Sequence, residues 1–253
     1  MTFTHAIVRL PGSSTGQGLT TSDLGAPDEQ VARAQFDTYV KHLLALRLSV
    51  IMLPPEPAYP DSHFVEDTAV VMPELAVITH PGAPSRRGEV DTIVPALAPY
   101  RKLARMSPNA RMDGGDVLMV GKRFFIGLTE RTDAAGIAEF TAFVAPHGYS
   151  VQAIEVSAGL HLKSIVNYVG RNTLTVNEEG ARNPAFAGFD HIVVSGEEEY
   201  AGNTLLINNT LITPLGYPRT LARLQALDLP IIVMDTSEFK KMDGGLTCLS
   251  LRF

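Results

Sequence analysis

The strongest constraint on the fold is a repeat in the order of apolar runs along the chain. Thr68 to Met72 and Leu75 to His80 read as a strand pair around Pro73-Glu74, followed by a helix over 86–98 and a short strand near Lys102. Val117 to Val120 and Arg123 to Leu128 form a hairpin pattern around Gly121-Lys122, followed by a helix over 131–146 and a strand from Val151 to Val156. A third pair within 164–176 precedes a weak helix and the strand His191 to Val194. A fourth within 204–213 precedes the helix after Pro218 and the strand Ile231 to Met234. The last run, Leu246 to Leu251, has no downstream partner. The N-terminal strand Thr4 to Arg9 can pair with it. That strand is followed by a helix over 28–47, with Phe36, Val40, Leu43 and Leu44 on one face, and by the strand Ser49 to Leu53, stopped at Pro54-Pro55. The chain thus reads as five hairpin–helix–strand units, the fifth made by joining its two ends.

First strands begin near residues 68, 117, 164, 204 and 246, so the period is 40 to 49 residues. A period of this size points to radial repetition, and closing the ring with both termini removes exposed sheet edges. An ordinary α/β domain with a mixed sheet is the alternative. A length of 253 residues allows one large domain or two small ones; the ring makes residues 1–253 a single domain. The net charge of −6 offers no broad basic surface to nucleic acid or an anionic membrane, and it is compatible with a cationic substrate. No run approaches the roughly 20 apolar residues of a membrane span. Met1-Thr2-Phe3-Thr4-His5 lacks the pattern of a secretory signal, and a single cysteine excludes an internal disulfide, so the expected location is the reducing cytoplasm.

Polar clusters stand just before the first strands: Asp61-Ser62-His63-Phe64-Val65-Glu66-Asp67, Asp113-Gly114-Gly115-Asp116, Gly159-Leu160-His161-Leu162-Lys163 and Asp243-Gly244-Gly245-Leu246-Thr247-Cys248. In a ring, equivalent positions converge at one end of the axis, which brings carboxylates, a histidine and a cysteine into one pocket. A lone cysteine is more often an inert small hydrophobe. Cys248, however, follows a Gly-Gly turn and opens a strand, a setting that presents its sulfur to a cavity, and a single Cys with a distant His is a nucleophile pattern. A free thiol is only a few per cent thiolate at neutral pH, so Cys248 needs His161 or a bound cation for activation. His161, between Leu160 and Leu162, lies in a dry wall that tunes its pKa. Asp113 is the candidate carboxylate to keep it protonated; its bland reading is a turn residue in Asp-Gly-Gly. Glu66-Asp67 adjoins apolar sequence, and buried carboxylates demand cationic partners. No Lys or Arg is near in sequence, so a guanidinium ligand fits. Arg86 and Arg131 each begin a helix after a hairpin, matching positions that suggest a shared hold on an anion. Cys248 and His161 supply two ligands, too few for a structural zinc site.

These segments, with Gly18-Leu19-Thr20, Pro81-Gly82-Ala83-Pro84-Ser85-Arg86-Arg87 and Gly127-Leu128-Thr129-Glu130-Arg131-Thr132, resemble the dimethylarginine dimethylaminohydrolases of the guanidino-modifying (pentein) superfamily, from about residue 5 to the C-terminus. The resemblance implies a five-bladed α/β propeller and hydrolysis of Nω-methylated arginines to citrulline and methylamine or dimethylamine, with no metal and no organic cofactor. It implies that Cys248 attacks the guanidinium carbon and that His161 protonates the leaving amine and then activates water. It places Asp67 and Asp113 around the guanidinium and histidine with Glu66 close by, Asp61 and the backbone of Leu19 and Met242 at the substrate's α-amino end, and Arg86 and Arg131 on its carboxylate. Some bacterial members carry Glu where this chain has Asp113, so its role, orienting His161 or holding substrate, is open at this point. The expected partner is a small methylated arginine, with a homodimer open. An arginine deiminase or an amidinotransferase is the alternative enzyme, although typical members carry a helical insertion for which this chain has no space. A non-catalytic arginine-binding protein is the alternative from another class.

Overall fold

The computed structural model of the chain describes residues 2–157 and 159–253. The chain opens with β1 (His5–Arg9), α1 (Glu29–Ala45) and β2 (Ser49–Leu53). The next unit is β3 (Ala69–Val71), β4 (Leu75–Ile78), α2 (Val90–Leu97) and β5 (Lys102–Arg105). Then come β6 (Val117–Val120), β7 (Arg123–Leu128), α3 (Ala134–Val144) and β8 (Ser150–Glu155), followed by β9 (Val166–Gly170), β10 (Thr173–Val176), α4 (Glu178–Arg182) and β11 (Asp190–Val193). The last segments are β12 (Leu205–Ile207), β13 (Thr210–Pro214), α5 (Pro218–Gln225), β14 (Ile231–Met234), α6 (Ser237–Lys240) and β15 (Leu251–Arg252).

The strands form three-stranded sheets in the orders β3-β4-β5, β6-β7-β8, β9-β10-β11, β12-β13-β14 and β15-β1-β2. Within each, the first strand is antiparallel to the second, and the second is parallel to the third across the intervening helix, as Ala69↔Ile78 and Leu75↔Lys102 show in the first unit. The fifth sheet joins the chain ends, with Ala6 opposite Arg252 and Ile7 opposite Leu251. This is the five-bladed propeller of the superfamily, here called blades I to V in the order of their first strands. The helices cover the outside of the blades. In α1, Asp28 caps the N-terminus by accepting from Gln30 N and Val31 N, and Phe36, Tyr39, Val40 and Leu43 are buried against blade V. Burying such side chains stabilises by roughly 1.5–3 kcal/mol each.

Two local expectations change. The helix expected over 86–98 starts as a 3-10 turn, Pro84–Glu89, before becoming α2. The last strand is short: Thr247–Leu249 is a 3-10 turn, so Cys248 lies on a turn ahead of the strand and does not open it. The same device recurs in every blade. A 3-10 turn precedes each first strand, at Val65–Thr68, Gly114–Asp116, Leu162–Ser164, Gly196–Gly202 and Thr247–Leu249. The turns of blades V, I, II and III pack on one another in sequence, and the polar clusters are on or beside them.

Candidate active site

Blade I contributes Glu66 and Asp67 on its inner turn, blade II Asp113, blade III His161 and blade V Cys248. His161 is buried, and its Nε2 lies 3.0 Å from Asp113 Oδ2 and 3.9 Å from Asp67 Oδ1. Asp113 is fully buried; its other oxygen accepts from Gly82 N at 2.8 Å, and Arg131 approaches Oδ2 at 3.7 Å. It therefore stands behind the imidazole and does not border the cavity in front of it. Asp67 accepts from Gly115 N at 2.8 Å. Gly115 has to be glycine here, because a Cβ would sit 2.7 Å from His161 Nδ1 and 2.8 Å from Asp67 Oδ1. Asp116, which carried no role in the sequence reading, accepts from Thr129, Thr132 and Leu162 N, and so pins the residue after His161 to blade II.

Burial alone would lower the His161 pKa, but the charge of Asp67, the hydrogen bond to Asp113 and the charge of Asp116 outweigh it and raise the pKa to about 9. The reciprocal effect, with help from Arg86 and Gly82, overcomes burial and holds Asp113 below the ordinary carboxylate range. Cys248 moves the other way. Burial, then the charges of Glu66 and Asp67, push its thiol up to about 12. Near neutral pH the site therefore holds a neutral thiol and an imidazolium. His161 already carries a proton to give, and it cannot be the group that removes the thiol's.

The expectation that Glu66 and Asp67 lack cationic partners is wrong. Glu66 Oε1 accepts from Lys163 Nζ at 2.7 Å and from Arg252 at 2.8 Å, residues 97 and 186 positions away. This ion cluster crosses the axis and forms the floor of the site. Beneath it, a cavity of about 270 Å³ runs between the inner strands β3, β6, β9, β12 and β15. Asp67 pairs with Arg86 NH1. Arg86 is buried and saturated: Nε and NH2 bind Glu89, and NH2 also reaches Phe64 O at 2.9 Å and Asp61 O at 3.3 Å. It is first a member of the wall; of its polar groups, only the one on Asp67 is not taken up by Glu89 or backbone. Burial raises Glu89 to about 7 despite this pairing.

The substrate-end residues come together in a narrow cleft lined by Leu19, Asp61, Arg86, Arg131, His161, Met242 and Cys248. Both Asp61 oxygens accept from Leu19 N at 3.1 Å, and burial, against the pull of Arg86, raises the Asp61 pKa. Arg131 is far less committed than Arg86, with 16% of its side chain exposed. A wider cavity of about 430 Å³ meets the cleft at His161 and Cys248 and is bounded by Glu66, Lys163, Tyr200 and Asn203. Asp67, Asp113 and His161 place ligand-type atoms within 4.8 Å of one another, yet the hydrogen bond between Nε2 and Asp113 and the Asp67–Arg86 pair already occupy those atoms. The arrangement suits a cationic, planar amidine held between carboxylates, next to a sulfur nucleophile and an acid. Sequence reasoning missed Lys163, Arg252, Glu89, Asp116 and Asn203. Lys163 and Asp116 stood inside quoted motifs; the others carry no local signal.

Comparison with known proteins agrees with this geometry. The family described as eukaryotic N,N dimethylarginine dimethylhydrolase matches residues 25–185. An N(G),N(G)-dimethylarginine dimethylaminohydrolase of Pseudomonas aeruginosa is 39% identical, covering 99% of this chain and all of the relative. One of Streptomyces coelicolor is 34% identical over 98% of this chain and 96% of its own. A solved structure of the Pseudomonas aeruginosa DDAH, a cysteine-to-serine variant complexed with citrulline, superposes with a TM-score of 0.98 at 38% identity over the whole of both chains. By the extent of these matches, the chain belongs to the N,N-dimethylarginine dimethylhydrolase family.

Proposed function

We propose that this chain hydrolyses Nω-methylated arginines to citrulline and methylamine or dimethylamine, as one catalytic domain acting in the cytoplasm. The observation that carries the reading is that Cys248 and His161 line one cleft, with His161 Nε2 3.0 Å from Asp113 Oδ2, a setting that favours an imidazolium beside a neutral thiol. A guanidinium seated by Asp67 brings a positive charge to the thiol and favours loss of its proton to solvent, so the substrate activates its own nucleophile. The thiolate forms a C–S bond to the guanidinium carbon. The C–N bond to the methylated nitrogen breaks as His161 delivers its proton to that nitrogen, and the amine leaves. The intermediate is an S-alkylthiouronium. His161, now neutral, takes a proton from water as its oxygen bonds the same carbon. The C–S bond then breaks as the carbonyl forms, and the hydroxyl proton passes to the departing sulfur, leaving citrulline and the thiol. Asp61 with Leu19 suits the α-amino end and Arg131 the carboxylate, with Met242 closing the cleft; Glu66 acts from the floor, and Arg86 braces Asp67.

The test compares citrulline release from arginine, monomethylarginine and asymmetric dimethylarginine by the wild type and by Cys248→Ser. Turnover of the methylated substrates and none by the variant is expected. Preferential turnover of arginine would establish a deiminase instead, and substantial turnover by Cys248→Ser would remove the nucleophile assignment.

A further inference from the structure

Four of the five inner turns carry a group used above; blade IV carries none. Its turn, Gly196–Gly202, ends against Asn203, whose amide is fully committed. Asn203 Oδ1 accepts from Thr247 N at 3.0 Å, and Nδ2 donates to Thr247 Oγ1 at 3.1 Å and to Lys163 O at 3.4 Å. The backbone N–H of Thr247 can only donate, which fixes which way the amide points. We infer that Asn203 is a positioning residue for the Cys248 nucleophile, acting through the turn that carries it; the inference rests on the assignment of Cys248 made above.

The physical need is clear in the turn. A short helix exposes its first N–H groups, and a polar side chain at its cap ordinarily satisfies one. Here the cap is Leu246, whose side chain has no polar atom to offer. Asn203 takes that place from the neighbouring blade. Gly245 is packed so closely that a Cβ would lie 2.5 Å from the Asn203 amide carbon, so the second glycine of the motif makes room for this contact. Tyr200, on the same turn, donates to Gly244 O at 2.9 Å. Blade IV thus holds the nucleophile turn at Gly244 and Thr247. Through Lys163 O it also ties that turn to the one bearing His161, two residues upstream. Cys248 N itself donates to Gly245 O at 3.2 Å, a bond within the same segment. The sulfur is therefore aimed by a neighbour.

The variants are Asn203→Ala, which removes all three bonds, and Asn203→Asp, which keeps the acceptor for Thr247 N and loses both donors. Asn208→Ala is the matched control, since Asn208, between β12 and β13, makes a similar amide bridge to Phe3 N and O, and neither residue lines the cleft or the wider cavity. Three readouts are taken: kcat and KM with asymmetric dimethylarginine, iodoacetamide alkylation of the lone cysteine followed by intact mass, and Tm. Asn203→Ala is expected to lower kcat by about 10- to 100-fold with little change in KM, because misaiming a reacting atom by an ångström costs rate and not affinity. Alkylation should become several-fold faster as the thiol gains solvent. Asn203→Asp should fold, lose less kcat than the alanine variant and still fall at least about threefold below wild type. Asn208→Ala should lower Tm while leaving kcat and alkylation unchanged. The inference is overturned if the Asn203 variants stay within about twofold of wild type in kcat and alkylation, or if Asn208→Ala reproduces their changes. Alkylation needs no substrate, so an enzyme inert toward methylated arginines would refute the proposed function while leaving this inference open to measurement.

Discussion

Asp113→Asn keeps the side chain's shape and removes its charge, which isolates what the carboxylate does for His161. Asp113 Oδ2 is 3.0 Å from Nε2, closer than Asp67 at 3.9 Å. Burial drives the imidazole below its ordinary 6.5, and the aspartates together carry it to about 9. With one aspartate neutralised and the burial unchanged, the midpoint should fall by roughly two units, worth about 3 kcal/mol at 1.36 kcal/mol per unit. At pH 8, an imidazole titrating at about 9 is roughly nine-tenths protonated, and one titrating near 7 is roughly one-tenth protonated. Citrulline release at about pH 8 should therefore drop roughly tenfold through protonation alone, and at about pH 6 by less than about twofold. The assay is kcat/KM against pH, which reports the free enzyme, together with NMR titration of the His161 ring. The descending limb and the ring resonance should move toward neutral together. If both stay where they are in the wild type, Asp113 does not set the charge of His161, and the positioning role is wrong. Stability follows the same linkage. The raised His161 pKa contributes stability that is fully present below pH 6.5 and lost as pH rises through about 9. The lowered Asp113 pKa contributes stability present above the usual carboxylate range and lost as pH falls through its own, lower value. The gap between wild type and variant should thus be widest between the carboxylate range and pH 6.5, and should narrow as pH rises through about 9, where the His161 part is lost.

Other substitutions separate wall from ligand contact. Arg86→Ala leaves Asp67 and Glu89 buried without their partner, and is expected to cost about 3–5 kcal/mol in denaturant unfolding. A rise in KM with unchanged stability would instead make Arg86 a simple carboxylate clamp. Arg131→Ala should raise KM at least about tenfold with kcat changed far less, because this side chain borders the cleft and is held by one long contact; a change confined to kcat would move it out of substrate binding. Asp28→Ala removes the cap of α1 and should lower stability by about 1 kcal/mol without altering kcat, which thermal unfolding and turnover together would check.

The number of blades, their order and the closure by the chain ends were legible in the residues, because alternation, helical spacing and turn chemistry are local and the period of 40 to 49 residues multiplies them. So was part of the company Cys248 keeps: a ring places equivalent positions of successive units at one end of the axis, and of the residues in the motifs ahead of the first strands, His161 and Asp67 line one cleft with Cys248 while Asp113 stands behind the imidazole. Which group faces which was not legible. Asp113 turns its carboxylate to His161 and away from the cleft, and Glu66 and Asp67, read as unpaired, find Lys163, Arg252 and Arg86. Asn203, an amide in no motif, holds the nucleophile turn. Except for Asp67–Arg86 within blade I, these pairings join residues from different blades, up to 186 positions apart, and exist only once the ring has closed. Burial then decides the charges: the same closure that raises the Cys248 thiol to about 12 lets three aspartates raise His161 to about 9. No residue carries those protonation states in its type or spacing, since they are properties of the distances and the dielectric that tertiary packing creates.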